Sequence, residues 1–477
     1  MVEGSISAVA ASEVITSEWG NSVRTKVQDL TDGHKHDGIG SHLVNRDSFH
    51  YVISESSGDF FIFDNRSKTY YLENGAFADL IGDFNTLATY GESFFFENGT
   101  YEGSYVTPFT VALNQPITVC GEHPYYTYIR NYYSGGSTFK ITNGAWSAYR
   151  QVKIENMRVG AASSGIAIDC DQESANHAPP VSFRNLKLYF PLIGIRIVNP
   201  VDFSAIENVF VRTAGANNAR GLIIANNDAQ GTPLNRGNFV VNNYHVMGDS
   251  DSYTGIIGVL ITGNYETNTG IINMLTLNDI FYITGGTSDN TDSIGVKIEG
   301  PAQCITIINP QQENVNTAYY LDGDTAGAIR SIKLLGCGYH SAKFPTASPH
   351  YFWRAVGEVE HCVVEGAWVQ YGDVKEDERT NINYDMPNIF RDCYFNQAFE
   401  SHTITPTRAT RFDNCGPNPL LTGLNCPING YSREAAGVGQ PPTNSYYLVG
   451  DIIENTSDST VWVKYSNSSS PYFLQLK

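Results

Sequence analysis

A chain of 477 residues with 41% hydrophobic and only 17% charged side chains is globular rather than disordered, and long enough for a large core. Its formal net charge of −19 argues against nucleic-acid binding, because phosphate contacts need a basic surface. No stretch approaches the ~18 apolar residues of a membrane-spanning helix, and residues 1–20 lack the basic and apolar regions of a signal peptide.

Abundant Gly, Asn, Ser, Thr and Tyr suit strands and turns better than helices. Arg (18) outnumbers Lys (12), a balance that hints at a high-salt habitat. The eight cysteines contain no CxxC pair, so neither a zinc site nor a disulfide scaffold is indicated.

In chain order, Ile15, Trp19, Val23, Val27 and Leu30 are spaced for a short helix with one apolar stripe. The segment DGHKHDG, Asp32 to Gly38, follows it and reads as a metal site, an attachment device or a polar turn. In an extended segment His34 and His36 point to the same side. Three such chains around an axis would offer six imidazoles, a set suited to a transition metal. Residues 47–75 read as a small hairpin region. Residues 76–104, AFADLIGDFNTLATYGESFFFENGTYEGS, read as an amphipathic helix, a turn, an apolar strand and a second turn.

From there a short block recurs, with an apolar residue two before an Asn-like position, then apolar at +1 and usually +3. It reads IENMRV around Asn156, FRNLKL around Asn185, IENVFV around Asn208 and VNNYHV around Asn243. Weaker copies stand at Asp279, Gly336, His361, Asp392 and Asn414, and a degenerate one at Asn309. A second block alternates with it: GIAI at Gly165, GIRI at Gly194, GLII at Gly221, GVLI at Gly258, GVKI at Gly295 and AYYL at Ala318. The glycines read as turns before short strands. Two strands per irregular repeat, with no helical period between them, predict a solenoid of about a dozen coils stacked at ~4.8 Å. Cys337, Cys362, Cys393 and Cys415 all fall at +1 of the first block, so they are expected in one inward stack as buried hydrophobes.

The helix and strand of residues 76–104 resemble the beginning of right-handed parallel β-helices of the pectate-lyase-like superfamily, where a helix caps the solenoid's open end. That resemblance, over about residues 50–430, implies the fold and leaves activity open. The pattern of Asp32, Gly33, His34, His36, Asp37, Gly38 and Ser41 after a helix resembles the attachment region of tail fibres and tailspikes of tailed viruses. This implies a virion tail protein, usually a homotrimer, docked through its N-terminus onto other tail proteins. Residues 447–477, after the Gly/Pro-rich linker EAAGVGQPPTNS at 434–445, read as three short strands. They look like terminal β modules of tail proteins, including those of archaeal viruses.

The expected fold is therefore all-β. It comprises a short helical anchor in an attachment segment over 1–46, a right-handed parallel β-helix over 76–430, and a linker with a small C-terminal β module over 431–477. The candidate acids for glycan cleavage are Asp169 and Asp171, Asp322 and Asp324, and Glu365, Asp373 and Glu376, because hydrolysis needs two carboxylates flanking the bond. Turn roles compete with each of these. The candidate glycan contacts are Tyr125, Tyr126, Tyr128, Tyr132 and Tyr133 in HPYYTYIRNYY, with Tyr351 and Trp353 in HYFW. Core packing or chain-to-chain contact competes there. No cofactor is required on this reading, and a metal ion on a trimer axis at His34 and His36 is an option that the spacing leaves open. The expected partner is a host surface glycan or glycoprotein, with no nucleic acid and no membrane insertion. The protein would lie in the virion tail and act outside the cell by binding, with glycan cleavage or a structural decoration role as the alternatives.

Overall fold

The computed structural model describes residues 46–112, 116–142, 151–170, 180–199, 204–226, 239–248, 253–265, 268–284, 293–323, 327–340, 350–370, 372–376, 387–395, 403–405, 410–416, 420–421, 431–434, 438, 451–466 and 472–476. The helical stripe from Ile15 to Leu30 and the histidines His34 and His36 lie outside them.

The chain winds as a right-handed parallel β-helix. One long sheet runs the length of the solenoid, a second parallel sheet of twelve strands faces it, and a short four-stranded sheet closes a third side of the later coils. Aromatic and branched side chains from all three point inward to one continuous core.

The N-terminal end is closed by two elements. Strands Tyr51–Ser56, Asp59–Asp64 and Thr69–Gly75 form an antiparallel meander whose first strand pairs in parallel with Ser93–Phe96. The helix Phe77–Ala88 lays Phe77, Leu80, Ile81, Phe84 and Leu87 over the first coil. These residues recur every three or four positions, so one stripe is apolar. Asp79 accepts a hydrogen bond from the Ala76 N–H at 2.9 Å, which holds the first turn. Without this lid, the first rung would expose a row of unpaired strand groups.

The Asn-like position of the first block is a corner of the backbone. Asn156, Asn185, Asn208, Asn243, Asp279, Asn309, Asp392 and Asn414 all have φ between +49° and +57°, and Gly336 and Gly366 take the same place with φ of +64° and +67°. Asn, Asp and Gly are the residues that tolerate this left-handed region. The corner lets the residues on either side of it both face inward. Ile154, Met157 and Val159 are fully buried, as are Val241 and Tyr244 around Asn243. The corner amides also stack. Asn185 Nδ2 donates to Asn156 Oδ1 at 3.0 Å, Asn208 to Asn185 at 3.2 Å, and Asn243 to Asn208 at 2.8 Å.

Strand register corrects three expectations. The copy at His361 is not part of this ladder, because Val364 lies opposite Leu334 and Phe390, which puts Gly366 at the corner. His361 instead continues a second left-handed stack with Met274, Cys304 and Ser331, at the edge of the third sheet. Cys337, Cys393 and Cys415 consequently share one column in which Ala367 fills the remaining place, while Cys362 is buried beside the other corner. Finally, the first copy of the second block is slipped by two residues: Ile168 lies opposite Ile195, so Ala167 rather than Gly165 aligns with Gly194.

Gly165 closes a turn before its strand, but Gly194 and Gly221 do not. Gly194 and Gly221 lie inside strands Ile193–Val198 and Arg220–Ala225. A Cβ at Gly194 would sit 2.3 Å from the Gly221 carbonyl oxygen, and one at Gly221 would sit 2.5 Å from that of Gly258. The side chains of Val211 and Val246 press against the same points. Glycine is needed because the second sheet crosses close over the first.

After the solenoid, Tyr431–Glu434, Ile452–Asn455, Thr460–Ser466 and Tyr472–Leu476 form a separate four-stranded sheet. Asp451, at its start, pairs with Arg411 of a late coil at 3.2 Å.

Candidate functional site

Outward-facing residues of the long sheet line up rung by rung. Two places after each corner, Arg158, Lys187, Phe210, His245 and Phe281 form one column, with Tyr128 opposite Arg158 on the preceding rung. Two places further on, Arg130, Gly160, Tyr189, Arg212 and Met247 form a second column beside it. Side chains alternate across a strand, so both columns project from the same face.

A cleft of about 340 Å³ opens between this face and the turn carrying Glu122, His123, Pro124 and Tyr125. Asn156, Asn185, Asn208 and Asn243 make its wall, and Lys187, Phe210 and His245 lie along its floor. The turn is held by hydrogen bonds from the Tyr126 and Thr127 N–H groups to the His123 carbonyl, at 3.2 and 2.9 Å. The His123 ring stacks on Tyr126 at 4.8 Å, and its Nδ1 accepts from the Tyr125 N–H at 3.1 Å. Tyr125 is 59% exposed and hangs over the cleft, with Lys187 Nζ 3.1 Å from its ring centre.

The cations beside the cleft are stacked on rings. Arg158 lies between Tyr128 and Tyr189, 4.2 and 4.0 Å from their centres. Arg130 lies 4.2 Å from Tyr132, and Arg212 5.2 Å from Phe190. Such contacts fix long side chains on a surface. Burial lowers the pKa of His245 below its usual value, against an opposing pull from Asp279. Burial thus favours the uncharged imidazole.

The tyrosines expected to bind glycan thus divide. Tyr125, Tyr126, Tyr132 and Tyr133 are exposed and Tyr128 is half-buried, all at this end of the long sheet. Tyr351 is half-buried on the second sheet, away from them. Trp353 is fully buried against Phe390 and belongs to the core, which removes it from any glycan surface. The pattern HYFW misled because the adjacent Phe352 and Trp353 both turn inward, where the strand pairing is irregular between Tyr351 and Trp353. Two exposed aromatics that the sequence reading missed, Trp368 and Tyr394, stand opposite each other on adjacent rungs further along the first column. Their place two after a corner was the available signal.

The described candidate acids are distributed over the two long sheets. Asp169 is buried, accepts from Arg196 Nε at 2.9 Å and Nη2 at 3.0 Å, and accepts from the Ser137 hydroxyl at 3.1 Å. Asp322 lies five strands away in the same sheet, or about 24 Å at the ~4.8 Å spacing of strands, against the ~5–10 Å a glycosidase pair needs. Glu365 is exposed on the long sheet and Asp373 half-buried on the second. Glu376 is buried and bonded to Asn388 Nδ2 at 2.9 Å and to the Thr410 hydroxyl. Asp171 and Asp324 lie outside the described residues. Among the described residues, no group of three or more His, Cys, Asp and Glu is placed to hold a metal ion.

Next to the cleft, a carboxylate pair escaped the sequence reading. Glu97 and Glu122 follow Phe96 and Gly121, which are paired on successive rungs. The Asn98 N–H donates to Glu122 Oε2 at 2.9 Å. Glu97 pairs with Arg46 at 2.6 Å, yet its carboxyl pKa is raised, because burial outweighs the arginine and the charge of Glu122 adds to it.

No family model matches the sequence, and no curated protein matches it. Solved structures do. The A-module of the mannuronan C-5 epimerase AlgE6 of Azotobacter vinelandii is 11% identical, with 74% of this chain and 93% of that one covered and a TM-score of 0.44. The N-terminal fragment of bacteriophage Phi29 gene product 12 is 12% identical, covering 83% and 71%, with a TM-score of 0.44. Tailspike protein 3 of bacteriophage CBA120 is 11% identical, covering 97% and 76%, with a TM-score of 0.30. At these identities and scores no residue role passes from them to this chain.

Proposed function

We propose that this protein is a viral tailspike or tail fibre that binds a glycan on the host surface, with the cleft beneath Tyr125 as the binding site. The observation that carries the reading is the cleft itself. An exposed tyrosine roofs a wall of corner amides and a floor holding an aromatic ring, which is the pairing of apolar faces and hydrogen-bonding groups that sugars take. Attachment to the virion would run through residues 1–46 and their DGHKHDG segment. A homotrimer, and a metal ion held by His34 and His36 of three chains, are part of the same proposal.

The test is to incubate the purified protein with whole cells and surface polysaccharide of candidate hosts, measuring binding, new reducing ends and unsaturated products. Binding that falls about tenfold or more in Tyr125→Ala, without product release, supports the reading. Retained binding in that variant would put the site elsewhere, and absence of any binding would leave a structural role in the particle.

A second reading, cleavage of the same glycan, is favoured by the Glu97 and Glu122 pair. Two carboxyl groups on successive rungs beside the cleft, one of them with its pKa raised by burial, are the kind of pair that glycoside hydrolysis uses. Product release that is abolished in Glu122→Gln would establish it.

A further inference from the structure

We infer that the glycan taken by this cleft is anionic, and that Arg158 and Lys187 contact its acidic group. The inference rests on the glycan-binding reading above and names the substrate class of the same site.

The argument is one of charge placement. The chain carries a net charge of −19, yet Arg130, Arg158, Lys187 and Arg212 gather on one face within a few rungs. Arg158 and Lys187 lie directly opposite each other on adjacent parallel strands. Like charges so placed repel. An acidic neighbour would relieve them at no cost to the fold, as Glu207 does for Arg184 at 2.8 Å one column away. Among the described residues neither Arg158 nor Lys187 has an ion-pair partner. Their contacts are rings, and the buried Nε of Arg158 has no hydrogen-bond acceptor in the protein.

Tyrosine faces hold a cation in place without neutralising it, so both charges stay available to a ligand. The acids around the cleft are held elsewhere or lie apart. Glu122 is bound to the Asn98 N–H, Glu102 faces Arg130 on the first rungs, and Glu155 stands on the far side of the corner from Arg158. The molecule's overall negative charge does not cancel the patch, because charges beyond about 8 Å are screened at physiological ionic strength. Successive rungs repeat every ~4.8 Å, about one sugar unit of an extended chain. A polysaccharide running along the column can therefore set an acidic sugar over the cations and neighbouring sugars over Tyr125 and Phe210.

The acidic group is a uronate carboxylate or a phosphodiester, and the experiment separates the two. A panel of purified bacterial surface polysaccharides, neutral, uronate-bearing and phosphate-bearing, is titrated against the full-length protein. Each acidic member is also tested after carboxyl reduction or after dephosphorylation. The expected result is binding confined to acidic members and lost with whichever treatment removes the relevant group. The double variant Arg158→Gln/Lys187→Gln should lose about a hundredfold in affinity, about tenfold per charge-assisted contact, and most of the salt dependence. Unfolding temperature should fall only slightly, since both side chains project from the outer face of the sheet and the substitutions remove only their ring contacts.

Binding to neutral members, or to treated acidic ones with undiminished affinity, overturns the inference and leaves glycan binding standing. So does a double variant that binds as the parent does. Failure to bind any polysaccharide overturns the glycan reading itself.

Discussion

Replacing Asn185 with alanine tests whether the corner ladder is held by its backbone shape, its amide stack or both. Asn185 has φ of +52°, donates to Asn156 and accepts from Asn208. Forcing a Cβ-bearing residue other than Asn into the left-handed region costs about 1–2 kcal/mol. Each lost hydrogen bond costs about 0.5–1 kcal/mol at a half-exposed place where water can substitute. Asn185→Ala should therefore destabilise by about 2–4 kcal/mol. Asn185→Gly loses the same two bonds but keeps the backbone, so it should be milder by about 1 kcal/mol. The chain already uses glycine at this corner, at Gly336 and Gly366. Urea unfolding followed by tyrosine and tryptophan fluorescence gives the order, or the unfolding half-life at fixed temperature does if unfolding is irreversible. An alanine variant as stable as the glycine variant would refute the backbone part of the reasoning.

Other expectations follow from the same geometry. Gly221→Ala puts a Cβ 2.5 Å from the Gly258 carbonyl oxygen and 2.6 Å from a Val246 methyl, so the sheets must part. A loss of about 3 kcal/mol or a failure to fold is expected, and a soluble variant with the parent's unfolding midpoint would contradict it. Asp169→Asn leaves Arg196 without its buried carboxylate partner and should cost about 3–5 kcal/mol in the same unfolding assay. A catalytic role for Asp169 would instead remove activity and spare stability. Burial pushes the thiols of Cys120 and Cys337 up to about 12, whereas Cys304 is exposed. Iodoacetamide at pH 8 should label Cys304 while leaving Cys120 and Cys337 intact until the protein unfolds, as read by peptide mass mapping. Raising the pH toward 10 should leave both buried thiols unreactive, because their thiolate fractions remain small.

The sequence by itself determined the coil. An apolar residue on each side of an Asn-like corner is a constraint within a few residues, and it survives from Asn156 to Asn414 because every rung must solve the same turn. The capping helix was legible for the same reason, since Phe77, Leu80, Ile81, Phe84 and Leu87 carry their periodicity locally. The stacking of coils was decided by tertiary structure. Whether His361 or Gly366 is the corner depends on which strand pairs with which, and both residues have a left-handed backbone. The glycines at 194 and 221 look like turns in one dimension and prove to be points where two sheets touch.

The candidate site divides along the same line. The tyrosine-rich stretch announced itself by composition, but Lys187, Phe210 and His245 reach the cleft from three rungs spread over 58 residues of chain, each two places after a corner. Trp353, expected at a surface, is inside because it and Phe352 both turn inward at an irregularity in the strand pairing, whereas Trp368 is outside by simple alternation between Ala367 and Val369. Local sequence fixes which residues alternate. Only the stacked register fixes which of them meet, because a contact between rungs depends on loop lengths that leave no periodic mark.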